Sequence, residues 1–245
     1  MNRTLALEIA VQDPAGMRIA REVGAARVEL AQALALGGLT PSPATLELTL
    51  EAAGDDGPET HVLIRPRAGG FHYDADELVI AERDVRRAVA AGAAGVVIGV
   101  LDAAGRLDVA AMTRLRDAAG TASVTLHRAI DVSADPLATL EAARSIGLRR
   151  ILTSGGASSA IDGIDTLRAL VVAADGQIEI MAGSGVDAAT APALAAVGVD
   201  ALHFSAKRSV HEVGGVRMGS ASDGIGGYEV TDRDAALAIA RSLGR

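Results

Sequence analysis

The chain has 245 residues, 49% hydrophobic and 22% charged, with a formal net charge of -8. That apolar content excludes a fully disordered chain, and the acidic balance argues against a nucleic-acid partner, whose footprint is a basic stripe. With no cysteine, a disulfide framework, thiolate catalysis and any cysteine-based zinc or iron–sulfur site are excluded, and with 2% aromatic residues the core falls to Ala, Val, Leu and Ile.

The opening MNRTLALEIAVQDP carries Glu8 in a short apolar run and lacks a cleavage site, so it does not read as a signal peptide. No stretch reaches the roughly 18 uncharged apolar residues a spanning helix needs. A cytoplasmic protein with no membrane partner is the expectation.

In chain order, short β-rich runs appear at LALEIA (5–10), RVEL (27–30), HVLIRP (61–66), GVVIGV (95–100), SVTLH (123–127), RILTS (150–154), IEIMA (178–182) and ALHFS (201–205). Eight runs in 245 residues make units of about 31 residues, the size of a β-α unit. Helix start signals stand between them: Asp13-Pro14, Asp135-Pro136, Asp187 and Thr231-Asp232. Gly24, Gly92, Gly147 and Gly198 precede strands two, four, six and eight, where a helix ends in a left-handed residue. With no composition break, the pattern predicts one domain over 1–245, an α/β fold closed as a single (β/α)8 TIM barrel. A doubly wound open sheet would need a Gly-rich dinucleotide turn after strand one, and AVQDPAG is not one.

Alternation along each strand sets what faces the barrel interior. Apolar residues on the helix side leave Glu8, Glu29, Arg65, Arg67, His127 and His203 inward, late in their strands. Active sites of such barrels sit at the C-terminal mouth, so this set predicts a polar ligand site. Arg65 and Arg67, on either side of Pro66, are expected to face inward together and bind a carboxylate or phosphate by bidentate hydrogen bonds. Glu8 or Glu29 is the candidate general base and His127 its acid partner, for a lyase, aldolase-like or isomerase step. The bland alternative is an ion-pair network filling the barrel, Arg65 neutralising the glutamates.

Loops after the strands add candidates: Arg128 and Asp131 in HRAID, Ser154 and Gly155 in TSGG, Gly183, Ser184 and Gly185 in AGSG, and Ser205. Gly-Ser turns on adjacent strands make an anion site. The loops at 37–43 and 67–74 read as surface turns able to act as a lid. His61 reads as structural, and the Gly-rich segment 207–228 as structureless.

The blocks ALEIA, ARVELA, GGLTPS, LIRPRAGGFHY, VIGVLD, VTLHRAID, ILTSGG, IMAGSGV and LHFSA resemble, in order from about residue 6 to 206, those of the CutC family, named for copper homeostasis. The resemblance implies a TIM barrel, a cytoplasmic homodimer or higher homo-oligomer, and copper as the bound ion. Relatives often place Cys after strands one and two; here those positions read Ala10-Val11 and Ala31. Cu(I) prefers sulfur ligands, so a thiolate copper site is excluded, no metal ligand is assigned, and the resident cofactor stays unknown. A small anionic ligand and a metal ion remain the two candidate partners.

Overall fold

A computed structural model describes residues 5–211 and 227–245. Eight parallel strands, β1 (Ala6–Val11), β2 (Arg27–Leu30), β3 (Glu59–Leu63), β4 (Gly95–Ile98), β5 (Ser123–Leu126), β6 (Arg150–Thr153), β7 (Glu179–Gly183) and β8 (Ala201–Phe204), close into one barrel in sequence order. The helices α1 (Pro14–Val23), α2 (Pro43–Ala53), α3 (Ala75–Ala90), α4 (Val109–Ala119), α5 (Pro136–Ser145), α6 (Ile164–Ala174), α7 (Ala191–Ala196) and α8 (Arg233–Ser242) alternate with them. The expected barrel is therefore the observed one. Among the described residues no helix is long and apolar enough to cross a membrane.

Local chemistry explains most boundaries. Asp13, Asp135 and Asp232 accept backbone N–H groups at the starts of α1, α5 and α8, and Pro14 and Pro136 occupy positions where a missing N–H costs nothing. Gly24, Gly92, Gly147 and Gly198 all have positive φ. Asp187 sits one turn too early: it accepts the N–H groups of Ala189 and Thr190, and α7 starts only at Ala191. The expected structureless segment is ordered at both ends, where β9 (Lys207–His211) pairs antiparallel with β10 (Gly227–Thr231). Its remainder, 212–226, lies outside the described residues.

Leu7, Ile9, Val28, Val96, Leu126, Ile151, Ile180 and Leu202 face outward and join the helices in one large apolar core. Inside the barrel, among the described residues, the apolar side chains form two small clusters, Ala31, Leu63 and Val97 in one and Leu152, Met181 and Ala201 in the other. Between them is a polar column in which Glu8, Arg27, Glu29, His61, Thr125, His127 and Arg150 are all buried. Buried charge on this scale persists only when it is paired and hydrogen-bonded.

Candidate functional site at the barrel mouth

The deepest part of the site is a charge chain. Glu8 lies opposite Arg27 in β2 and opposite His203 in β8, the pair that closes the barrel. Arg27 Nε donates to Glu8 Oε2 at 2.8 Å, and His203 Nδ1 donates to Glu8 Oε1 at 3.0 Å. The far nitrogen of His203, Nε2, is 3.6 Å from Glu29 Oε2, an ion-pair distance beyond hydrogen-bond contact. Burial opposes the charge of Glu8, but the His203 hydrogen bond and the charges of His203, Arg27 and His61 overcome it and hold the carboxyl well below its ordinary range. Burial opposes the imidazolium of His203 too, and both glutamates reverse that and raise its pKa. Glu29 has no such direct bonds. Burial, aided by the charge of Glu8 and opposed by His203, pushes it up to about 7.

His127 follows β5 and caps the one-turn helix Arg128–Val132. Its Nδ1 accepts the N–H of Ala129 at 3.1 Å, which puts the ring proton on Nε2. That Nε2 is buried and meets no hydrogen-bond partner. Burial, reinforced by the charge of Arg65, pushes the His127 pKa down to about 3, so the ring is a neutral N–H donor at physiological pH. Phe71 covers one face of the ring at 4.7 Å between centroids.

Arg65 is 7% exposed and has no carboxylate partner among the described residues. Nη1 donates to the carbonyls of Leu36 and Gly38, and Nη2 to that of Gly69, so one guanidinium ties the 37–43 and 67–74 loops together. Nε is buried and unpartnered.

These groups meet in a cavity of about 540 Å³ at the C-terminal mouth. Of the sequence-predicted residues, Glu29, Arg65, His127, Arg128, Asp131, Ser184, Gly185, His203 and Ser205 line it. Phe71 and Lys207 line it too. The others are placed elsewhere. Glu8 is fully buried and lies behind His203. Gly183 sits beside His203, where a Cβ would come within 3.2 Å of that side chain. Ser154 and Gly155 serve the loop after β6. There Asp131 accepts from Arg128 Nε, Thr153 Oγ1, Ser154 N, Ser154 Oγ and Gly156 N. Gly155 is required in that turn: its φ is +73° and a Cβ would stand 2.3 Å from the Gly163 carbonyl. A carboxylate held by five donors, Arg128 among them, organises its loop while lining the cavity.

The expectation that Arg65 and Arg67 face inward together is corrected. β3 ends at Leu63, so the strand alternation does not extend to Arg65 and Arg67. The N–H of Arg65 turns to Thr40 Oγ1, and Pro66 has none to donate. Arg67 leaves the cavity: its guanidinium pairs with Glu77, donates to the carbonyls of Gly70 and His72, and lies over the Tyr73 ring. Nor does Arg65 neutralise Glu8. That partner is Arg27, which the sequence reading did not single out, although it stands two residues before Glu29 and so shares its parity. Phe71 lies in the 67–74 loop, which the sequence marked only as a surface turn able to act as a lid. The structural reading of His61 agrees with its full burial beside Glu59, at 3.3 Å.

The CutC family model matches residues 5–208. A family protein CutC from Xanthomonas campestris pv. campestris is 46% identical over 207 residues, covering 84% of this chain and 85% of its own. One from Sinorhizobium medicae is 48% identical over 194 residues, covering 79% and 77%. Among solved structures, a Streptococcus agalactiae protein named for copper homeostasis, CutC, superposes with a TM-score of 0.78 at 30% identity, over 82% of this chain and 99% of that one. Thiamine phosphate pyrophosphorylase from Pyrococcus furiosus, at TM-score 0.61 and 15% identity over 99% and 96% of the two chains, shares the fold alone.

Proposed function

The chain belongs to the CutC family, and from that premise and the chemistry gathered at its mouth we propose that it is a lyase- or isomerase-type enzyme for a small anionic carbonyl compound. One observation carries this reading: a buried donor without an acceptor, His127 Nε2–H, belongs to the same cavity wall as a carboxyl poised at about 7. Buried donors normally have partners, and a group tuned to the operating pH is what proton transfer needs. Glu29 in its carboxylate form removes a proton from the carbon next to the carbonyl. The electron pair moves onto the carbonyl oxygen, which takes a hydrogen bond from the neutral His127. Where the deprotonated carbon bears a hydroxyl, its proton passes to the former carbonyl oxygen and the abstracted proton returns to the former carbonyl carbon, which completes an isomerisation. Where the next carbon bears a leaving group, the electron pair instead forms a double bond and expels that group with its bonding pair, which completes a lyase step. The anionic end of the substrate would draw on Arg65, Arg128, Lys207 and the Ser184-Gly185 turn, which line the cavity, with Arg128 and Lys207 shared with Asp131 and Glu229. Glu8 acts through His203, holding the imidazolium that stabilises the carboxylate form of Glu29.

Copper is the ion attached to the family by name, and the donor set here does not fit it. The chain has no cysteine. Met17, Met112 and Met181 are fully buried. His203 is already engaged by two glutamates, and His127 Nδ1 by a backbone N–H. Among the described residues no cluster of three or more His, Cys, Asp or Glu is arranged to hold a metal ion.

The test is solvent deuterium uptake by 2-keto acids and phosphorylated keto sugars, assayed as a panel. Glu29→Gln is expected to abolish uptake, and Arg65→Ala to remove the thermal stabilisation the same compound confers, about 2.7 kcal/mol at a hundredfold excess over Kd. A panel in which no compound exchanges or stabilises the parent protein overturns the proposal.

A further inference from the structure

The opposite end of the barrel holds a second cavity, of about 670 Å³, whose charged lining is four arginines, Arg27, Arg116, Arg149 and Arg150, against two glutamates, Glu59 and Glu179. Arg27, Glu59, Arg150 and Glu179 are the first residues of β2, β3, β6 and β7, so the cavity is the N-terminal mouth. We propose that it is a binding site for a phosphate-class dianion, distinct from the site at the C-terminal mouth.

The donors here exceed the acceptors. Glu179 alone serves two guanidiniums, accepting from Arg149 Nη2 at 2.8 Å, Arg150 Nε at 2.8 Å and Arg150 Nη2 at 2.6 Å. Glu59 is held by His61. Arg27 gives Nε to Glu8, which is shared with His203, and its Nη2 finds only the Met181 sulfur at 3.9 Å, a weak acceptor. Arg116 meets the exposed Asp117 through Nη2, and its Nε is buried with no partner, as is the hydroxyl of Ser123 in the same cavity wall. Arg27 and Arg150 are only 7% and 4% exposed, so their charge is poorly screened by water.

With Glu8 on Arg27 and Asp117 on Arg116 counted beside Glu59 and Glu179, the charges balance, so this end is marked by its surplus of N–H donors rather than by net charge. Planar guanidinium forks match the oxygens of a phosphate. A tetrahedral anion offers these donors more acceptor oxygens than a single carboxylate does. The oxygens would also give acceptors to Arg116 Nε and Ser123 Oγ.

Backbone amide NMR during titration with inorganic phosphate tests this at both ends at once. The expected result is that the amides of Gly120, Ser123 and Gly147 shift with a binding curve of their own. Arg116→Gln/Arg149→Gln should weaken that curve at least about tenfold, while Arg65→Ala leaves it unchanged. Both exchanged arginines are partly exposed, so an unchanged melting temperature shows that the double variant is folded. The proposal is overturned if those amides do not move, if they move equally in the double variant, or if acetate shifts them as strongly as phosphate. None of these outcomes touches the Ser184 and Gly185 amides, so failure here is distinct from failure of the enzyme reading.

Discussion

Glu29→Gln should make the protein more stable, by an amount that grows as the pH rises above about 4.5 and is complete above about 7. The folded chain raises this carboxyl from its ordinary 4.5 to about 7. At about 1.4 kcal/mol for each tenfold change in proton affinity, that difference is worth about 3 kcal/mol. The sign follows from which state holds the proton more tightly. Here it is the folded state, so the contribution is fully present below about 4.5, is lost as the pH rises through about 7, and is flat above. Gln keeps the shape without the charge. At pH values near 4 the variant and the parent should therefore melt together; near 8 the variant should gain up to about 3 kcal/mol. For a chain of this size that is about 6–12 °C in melting temperature. The assay is thermal unfolding of both proteins across this pH range. Equal stability at every pH, or a gain that does not grow with pH, would refute the assignment of Glu29 as a buried carboxyl without a direct hydrogen bond. Gained stability together with lost turnover is the pattern of a residue kept for chemistry at a cost to folding.

Three further predictions concern the surroundings of that carboxyl. Arg27→Ala strands the fully buried Glu8 and should cost about 3–5 kcal/mol in urea unfolding; because Glu8 is held below its ordinary range, the deficit should shrink in acid, and one that is constant with pH counts against the pairing. His127 should stay neutral, with its proton on Nε2, in ring NMR spectra from about pH 5 to about 8, given a pKa pushed down to about 3; a titration near the ordinary histidine value overturns the donor role. Gly99→Ala places a Cβ 2.3 Å from His127 Cε1, so it should displace the ring, cost about 1–3 kcal/mol and reduce anion binding, whereas Gly70→Ala, with nothing within 4 Å, should do none of this.

What the sequence determined by itself was the barrel and the residues that point into it from within its strands. Strand alternation has a period of two, so the outward apolar residues Leu7, Ile9, Val28 and Leu30 force Glu8 and Glu29 inward, and the same parity places His127 and His203. Eight repeats of strand and helix leave little choice of fold. The alternation fails where the strand does. Arg65 and Arg67 follow the end of β3, and their directions are set by contacts from distant segments: the Leu36, Gly38 and Gly69 carbonyls for one, Glu77 for the other. Partners were also beyond local reading. Glu8 meets His203 across 195 positions of sequence because barrel closure pairs β1 with β8. That closure turns two glutamates with the same inward register into opposites, since one is bonded to Arg27 and His203 and ionised, while the other is left without direct bonds and held near neutrality. Burial and pairing, which only the tertiary structure supplies, decide which of the two carboxyls is poised for proton transfer.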